Sequence, residues 1–225
     1  MSPIKNLIRP AQAAVISTTV LLGLCVAAAP AQASTTTARS LVFKVSVAAE
    51  SNSGYDRAKF THWIDANGDC QDTRQEVLIA ESKVTPTYTT SSRCTVRSGK
   101  WVSPWDGRTW TNPSDVDIDH HVALSEAWGS GARSWTSIDR RRYANDTYAP
   151  TLNAITDNLN SSKGERDPAQ WLPPLTSSRC TYAITWVQVK YRWRMTMDTA
   201  ERSKLSSILS GSCGSRTITI PTRAR

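Results

Sequence analysis

Apolar and polar positions change period several times along the chain, and each change predicts an element. Residues 13–29 are uncharged and mostly apolar, follow the basic Lys5 and Arg9, and lead into Ala31-Gln32-Ala33. That order is the pattern of an export signal, with cleavage predicted after Ala33. Residues 34–53 are rich in Thr, Ser and Ala and read as a loose leader, in which Leu41, Phe43, Val45 and Val47 alternate as in a short strand. From Gly54 the spacing of Tyr55, Phe60, Trp63 and Ile64 is roughly helical. Asp72, with Gln75 three residues on, forms a capping box ahead of Val77, Leu78 and Ile79, which predicts a helix. Between Cys94 and Trp110 the β-formers Val96, Trp101, Val102 and Trp110 flank Asp106-Gly107, a hairpin signal.

Val116, Ile118 and His120 then alternate with Asp117, Asp119 and His121, a strand, and residues 122–128 turn helical before Gly129. Asp167-Pro168 and Leu172-Pro173-Pro174 break the chain. Residues 177–194 read as a helix, and Asp198 with Glu201 caps a second one carrying Leu205, Ile208 and Leu209. The tail from 215 onward carries no core signal, and there is no internal repeat. The predicted organisation is a signal (1–33), a leader (34–53), one α+β domain (54–213) and a tail (214–225).

Composition sharpens this picture. The whole chain carries a net +8, and removal of residues 1–33 takes Lys5 and Arg9 and leaves +6. A basic exported protein suits a polyanionic partner, whether nucleic acid, a wall polymer or anionic lipid, or uses the charge only for solubility. No segment after the signal is apolar enough to span a bilayer, so stable membrane association is not expected. The four remaining cysteines, Cys70, Cys94, Cys180 and Cys213, read as two disulfides in an exported chain. Three pairings exist, and the shortest closures favour Cys70–Cys94 with Cys180–Cys213. The tryptophans between Cys94 and Trp110 suit a core more than a base-stacking surface.

Two stretches carry candidate chemistry. Asp65, Asn67, Asp69 and Glu76 occupy positions 1, 3, 5 and 12 of a calcium loop, but Cys70 stands where that loop needs glycine, so a polar turn before a helix is favoured. The second stretch holds Asp117-Ile118-Asp119-His120-His121, then Leu152-Asn153, then Asn160-Ser161-Ser162-Lys163-Gly164. Carboxylate and amide oxygens suit a hard divalent cation, and an imidazole suits removal of a proton from water near neutral pH. There is no Gly-x-Ser-x-Gly elbow, His-Glu-x-x-His or phosphate loop to suggest other chemistry.

Asp-His followed by Leu-Asn and Asn-x-x-Lys-Gly, with Cys70-Gln71-Asp72-Thr73-Arg74, Ala144-Asn145-Asp146, Trp171-Leu172-Pro173-Pro174 and Cys180-Thr181-Tyr182 in order, resembles the HNH (ββα-metal) endonucleases. More closely, it is similar to the secreted family related to the C-terminal domain of GmrSD-type restriction enzymes, from about Gly54-Tyr55-Asp56-Arg57 to Leu209. The resemblance implies a ββα-metal core surrounded by helices and a metal-dependent endonuclease acting on nucleic acid, DNA above RNA. It implies His120 as general base, with the adjacent His121 as the alternative. It implies Asp119 and Asn160 as ligands of one divalent cation, Mg²⁺ or alternatively Mn²⁺, with Asn158 as a competitor for Asn160. Asn153 would orient His120 or brace its loop, and the products would be a 5′-phosphate and a 3′-hydroxyl. Lys163, Arg166, Arg140 and Arg141, with Arg142, are the cations expected to track phosphates. The rival reading is a non-catalytic basic module that grips nucleic acid or a cell-wall polyanion.

Overall fold

The computed structural model describes residues 34–148 and 150–225, so the predicted signal at 1–33 lies outside the described residues. In chain order the first elements are β1 (Thr35–Thr37), α1 (Ala38–Val42), α2 (Thr73–Glu81), β2 (Thr87–Tyr88), β3 (Val96–Ser98), β4 (Trp101–Val102) and β5 (Thr109–Trp110). There follow β6 (Val116–His120), α3 (Leu124–Gly129), α4 (Ser137–Ala144), β7 (Leu152–Thr156) and α5 (Asp157–Lys163). The chain ends with α6 (Arg179–Arg192), α7 (Thr199–Ile208), α8 (Gly211–Gly214) and β8 (Thr217–Thr219). The strands form four separate two-stranded antiparallel ladders, β1 with β8, β2 with β3, β4 with β5 and β6 with β7.

The longest ladder organises the rest. β6 and β7 pair in five steps, from Val116 opposite Thr156 to His120 opposite Leu152. Opposite residues share a face, so Val116, Ile118, Leu152 and Ala154 lie on one side. There they build a small core with Val77 and Leu78 of α2, Val96 and Trp101. On the other side Ile155 joins the main core, an aromatic assembly that includes Phe60, Trp105, Tyr143, Tyr182, Trp186 and Trp193. The short ladder is therefore stabilised by apolar packing on both faces rather than by width.

Local signals explain the elements that flank it. The Asp72 side chain accepts the Gln75 N–H at 2.9 Å and starts α2, and Asp198 does the same for Glu201 at 2.7 Å in α7. Gly107 sits at φ +75° between β4 and β5, which pair Trp101 with Trp110 as the hairpin signal predicted. Cys70–Cys94 and Cys180–Cys213 are both bridged, the latter tying α6 to α8.

Three stretches depart from the sequence expectation. The leader is part of the fold: α1 is helical where alternation suggested a strand, and it buries Leu41 and Val42 in the main core, leaving Phe43 exposed. The tail is ordered too, since β8 pairs with β1 and the Ile220 N–H reaches the Ser34 carbonyl at 2.9 Å. Neither segment has a core signal alone because each completes the other. The third departure is residues 55–64, which hold a single 3-10 turn (Arg57–Lys59) rather than a helix. Trp63 there is at φ +56°, left-handed backbone that no helix continues. The Asp65–Glu76 stretch folds as a self-satisfied turn, both Asp65 carboxylate oxygens accepting backbone N–H groups, from Gly68 at 2.7 Å and Cys70 at 2.9 Å.

Candidate active site

Alternation puts Asp119 and His120 on opposite faces of β6, but the strand ends at His120, which frees both for one cleft. Asp119 and His120 line a cleft of about 250 Å³ with Asn160 from α5, Ser125 from α3, and Tyr55 and Arg57 from the segment before α2. α5 follows β7 directly and brings Asn160 beside β6, where its Nδ2 donates to Asp117 Oδ2 at 3.0 Å. A carboxylate can only accept, so this bond fixes the amide with Oδ1 turned away from Asp117. Oδ1 accepts no hydrogen bond among the described residues.

Asp119 is 5% exposed. Its Oδ1 accepts from Lys163 Nζ at 2.9 Å, while Oδ2 is buried with no partner. Burial pushes this carboxyl above the usual range, and the Lys163 ammonium opposes that shift. A buried carboxylate oxygen without a donor is costly unless something cationic meets it. Asp119 and Asn160 both line the cleft, and Asp119 Oδ2 and Asn160 Oδ1 accept no hydrogen bond among the described residues, so their chemistry suits a small divalent cation that keeps several waters. Another acidic cluster, Glu50, Glu126 and Glu201, is already served by Lys190, whose Nζ lies 2.6 Å from Glu126 Oε1 and 2.6 Å from Glu201 Oε2.

His120 Nε2 lies 2.9 Å from the Ala144 carbonyl. A carbonyl has no proton to give, so Nε2 carries the hydrogen and Nδ1 keeps its lone pair. Burial lowers the imidazole pKa to about 3, with Arg57 and Lys163 adding to the effect, so the ring is neutral near neutral pH. Its face stacks on Trp63, ring centres 5.6 Å apart and planes 23° apart. His121 shares the Nε2-to-carbonyl contact and the lowered pKa but not the cleft. It is fully buried among Trp105, Tyr182 and Trp186, its Nε2 lies 3.0 Å from the Tyr182 carbonyl, and it does not line the cleft.

The other predicted residues fall less evenly. Asn153 pairs opposite Asp119 in the ladder, and its Nδ2 donates to Pro150 O at 3.2 Å, so it braces the turn before β7 without touching His120. Asn158 is exposed on a different depression beside Asp106 and Arg108. Lys163 corrects the expectation of a phosphate contact: its side chain is fully buried, and its ammonium is held by Asp119 and by the His120 carbonyl at 3.0 Å. Arg140 is spent on the Lys59, Ala132 and Trp135 carbonyls, and Arg141 lines a separate depression with Arg142 and Asp146. Arg166 is exposed beyond the end of α5. The cation that does line the cleft is Arg57, which sequence reading passed over; its only signal was membership of the Gly54–Arg57 marker.

A family model described as GmrSD restriction endonucleases, C-terminal domain, matches residues 72–208. A curated relative from Arthroderma benhamiae, named only as an uncharacterized secreted protein, is 45% identical over 177 residues, which is 78% of this chain and 85% of the relative. No solved structure matches the chain. Asp119, His120, Asn160 and Lys163 all fall inside the matched region, while Tyr55, Arg57 and Trp63 precede it. The chain belongs to the family of GmrSD restriction endonuclease C-terminal domains.

Proposed function

We propose that this protein is an exported, metal-dependent endonuclease of the HNH (ββα-metal) type that hydrolyses phosphodiester bonds of nucleic acid, DNA first. The observation that carries the reading is the convergence of Asp119, His120 and Asn160, from the end of β6 and from α5, on one cleft that also holds Arg57. β6 and β7 pair antiparallel and α5 follows β7, with α3 and α4 inserted between the two strands, an arrangement that supports a ββα reading. Family membership supports a nuclease, and two disulfides, the N-terminal signal pattern and a relative named as secreted support export. Among the described residues no helix is long and apolar enough to cross a membrane.

In this reading Asp119 and Asn160 hold a divalent cation, Mg²⁺ or Mn²⁺. When bound, it supplies polarisation of a phosphoryl oxygen and stabilisation of the charge on the leaving oxygen. His120 Nδ1 accepts the proton of the attacking water, and Nε2 stays bonded to Ala144 O throughout, so the ring does not turn as it charges. The oxygen of that water bonds to phosphorus as the 3′-oxygen leaves, giving a 5′-phosphate. Arg57 is the cleft cation placed to meet the phosphate charge, and Lys163 acts through Asp119, leaving only Oδ2 of that carboxylate for the ion.

The test is incubation of plasmid DNA and of RNA with the purified chain in Mg²⁺, Mn²⁺ or chelator, beside His120→Ala and Asn160→Ala. Cutting should require the divalent ion and fall by a factor on the order of 100 or more in either variant. Unchanged cutting in both variants removes this site assignment. A mobility shift that persists in chelator, without cutting, makes the chain a binding module instead.

A further inference from the structure

One face of the His120 ring is covered by a residue that precedes the matched residues 72–208 and does not line the cleft. Trp63 stacks on that imidazole at 5.6 Å and 23°, and its backbone is in the left-handed region at φ +56°. A bulky residue stays in that conformation only when its surroundings impose it. Here the imposing group is Asn145. Its Oδ1 accepts from the Ile64 N–H at 3.1 Å and from Thr73 Oγ1 at 2.9 Å, and its Nδ2 donates to Thr61 O and Arg141 O, each at 2.7 Å. All four hydrogen-bonding positions of the amide are filled, and two of them clamp the residues on either side of His62 and Trp63. Asn145 also follows Ala144, whose carbonyl takes His120 Nε2. One residue thus secures both the loop that covers the ring and the turn that orients it.

We propose that Trp63 is a positioning residue for His120, held in its left-handed conformation by Asn145, so that the active site is completed by chain ahead of residues 72–208. This rests on the assignment of His120 as the base. The flat indole restricts the imidazole to one plane, and the Ala144 carbonyl then selects the tautomer with Nδ1 free. Ring tilt without this support would misplace Nδ1 from the attacking water, and small misplacements in such steps carry large rate penalties.

The experiment uses the full exported chain and four variants, Trp63→Phe, Trp63→Gly, Trp63→Ala and Asn145→Ala, with thermal melts to confirm folding. Trp63→Gly relieves the backbone conformation while removing the ring, so it separates stacking from strain. Plasmid cleavage in Mg²⁺ should show kcat lowered by a factor on the order of 100 in Trp63→Gly and Trp63→Ala with KM little changed, and largely restored in Trp63→Phe. The ¹⁵N signals of His120, recorded without metal or DNA, should show one tautomer with the proton on Nε2 in the wild type. They should show a mixture in Trp63→Gly and Asn145→Ala. A folded Trp63→Gly variant with unchanged kcat and a single unchanged tautomer overturns the proposal, as does a wild-type ring protonated on Nδ1. Failure of the wild type to cut any nucleic acid sinks the nuclease reading instead, and the tautomer comparison still decides whether Trp63 and Asn145 orient the ring.

Discussion

At the residue scale the pair Asp119 and Lys163 carries the sharpest consequence. Both charges are buried, Lys163 fully, and their contact is 2.9 Å. Removing one partner of a buried pair leaves the other without compensation, which costs about 3–5 kcal/mol. Lys163→Met is therefore expected to lower stability in chemical denaturation by that order, with Asp119→Asn added to Lys163→Met recovering part of the loss. A phosphate-contacting lysine on the surface would show the opposite pattern, near-normal stability and weakened DNA binding. The same scale shows where reading the chain fell short. That Asp119, His120 and Asn160 share one cleft was legible, because a carboxylate, an imidazole and an amide stand in the order of the family motif. That Lys163 points inward, and that Arg57 takes the open cleft, depends on packing that spacing does not record.

At the element scale, α2 and the turn before it are secured twice, by the Asp72 cap and by Cys70–Cys94 across 24 residues. Closing a loop of this length stabilises by about 3 kcal/mol in the chain-entropy account. The Cys70→Ser, Cys94→Ser double variant should lose stability of that size in urea unfolding, whereas Asp72→Ala should lose about 1 kcal/mol. Elements announced by a cap or a turn were legible: α2, α7 and the hairpin of β4 and β5 each begin or bend where a short polar signal stands. Others were not: the Thr37 cap of α1, which accepts the Ser40 N–H at 3.2 Å, is hidden in a run of Thr and Ser, and β8 has no cap at all. α1 is five residues long and helical because the main core takes Leu41 and Val42, a decision made by α6 and α7 far along the chain. β8 exists only because β1 lies beside it.

At the scale of the whole molecule, pH should act through buried groups of opposite sign. Burial lowers His120 and His121 to about 3, so the unfolded chain binds protons that the folded one refuses below pH 6.5, and stability is lost as pH falls from there. Burial raises Glu201 to about 8 and Glu50 to about 7, the reverse case. Their contribution is complete below the ordinary 4.5 and is lost as pH rises through these values. The two histidines oppose Glu50 and Glu201 between 4.5 and 6.5, and Asp119, Glu81 and Asp167, also raised by burial, add to the loss as pH rises, which predicts a maximum on the acid side of neutrality and a decline on both sides. Glu201, almost fully enclosed with Lys190 and Glu126, has a limiting slope of about 1.4 kcal/mol per pH unit; Glu50, nearer water, contributes less. Thermal melts from pH 4 to 9 check this, and Glu201→Gln should flatten the alkaline limb while leaving the acid limb in place. A melting temperature that rises steadily to pH 9 would contradict it.

The sequence by itself determined what is local: the period of the longer elements, the caps and turns, the four cysteines that follow the signal, and the family motifs from Asp119-His120 to Asn160. It could name two adjacent histidines but not choose the cleft for one of them. Only the tertiary structure decided that His120 lines the cleft while His121 is sealed among aromatic rings. Only packing showed that residues 34–53 and 215–225 belong to the fold. The physical reason is the same throughout. Spacing along a chain sets which way a side chain leaves the backbone, but what it meets is set by distant segments whose burial is shared.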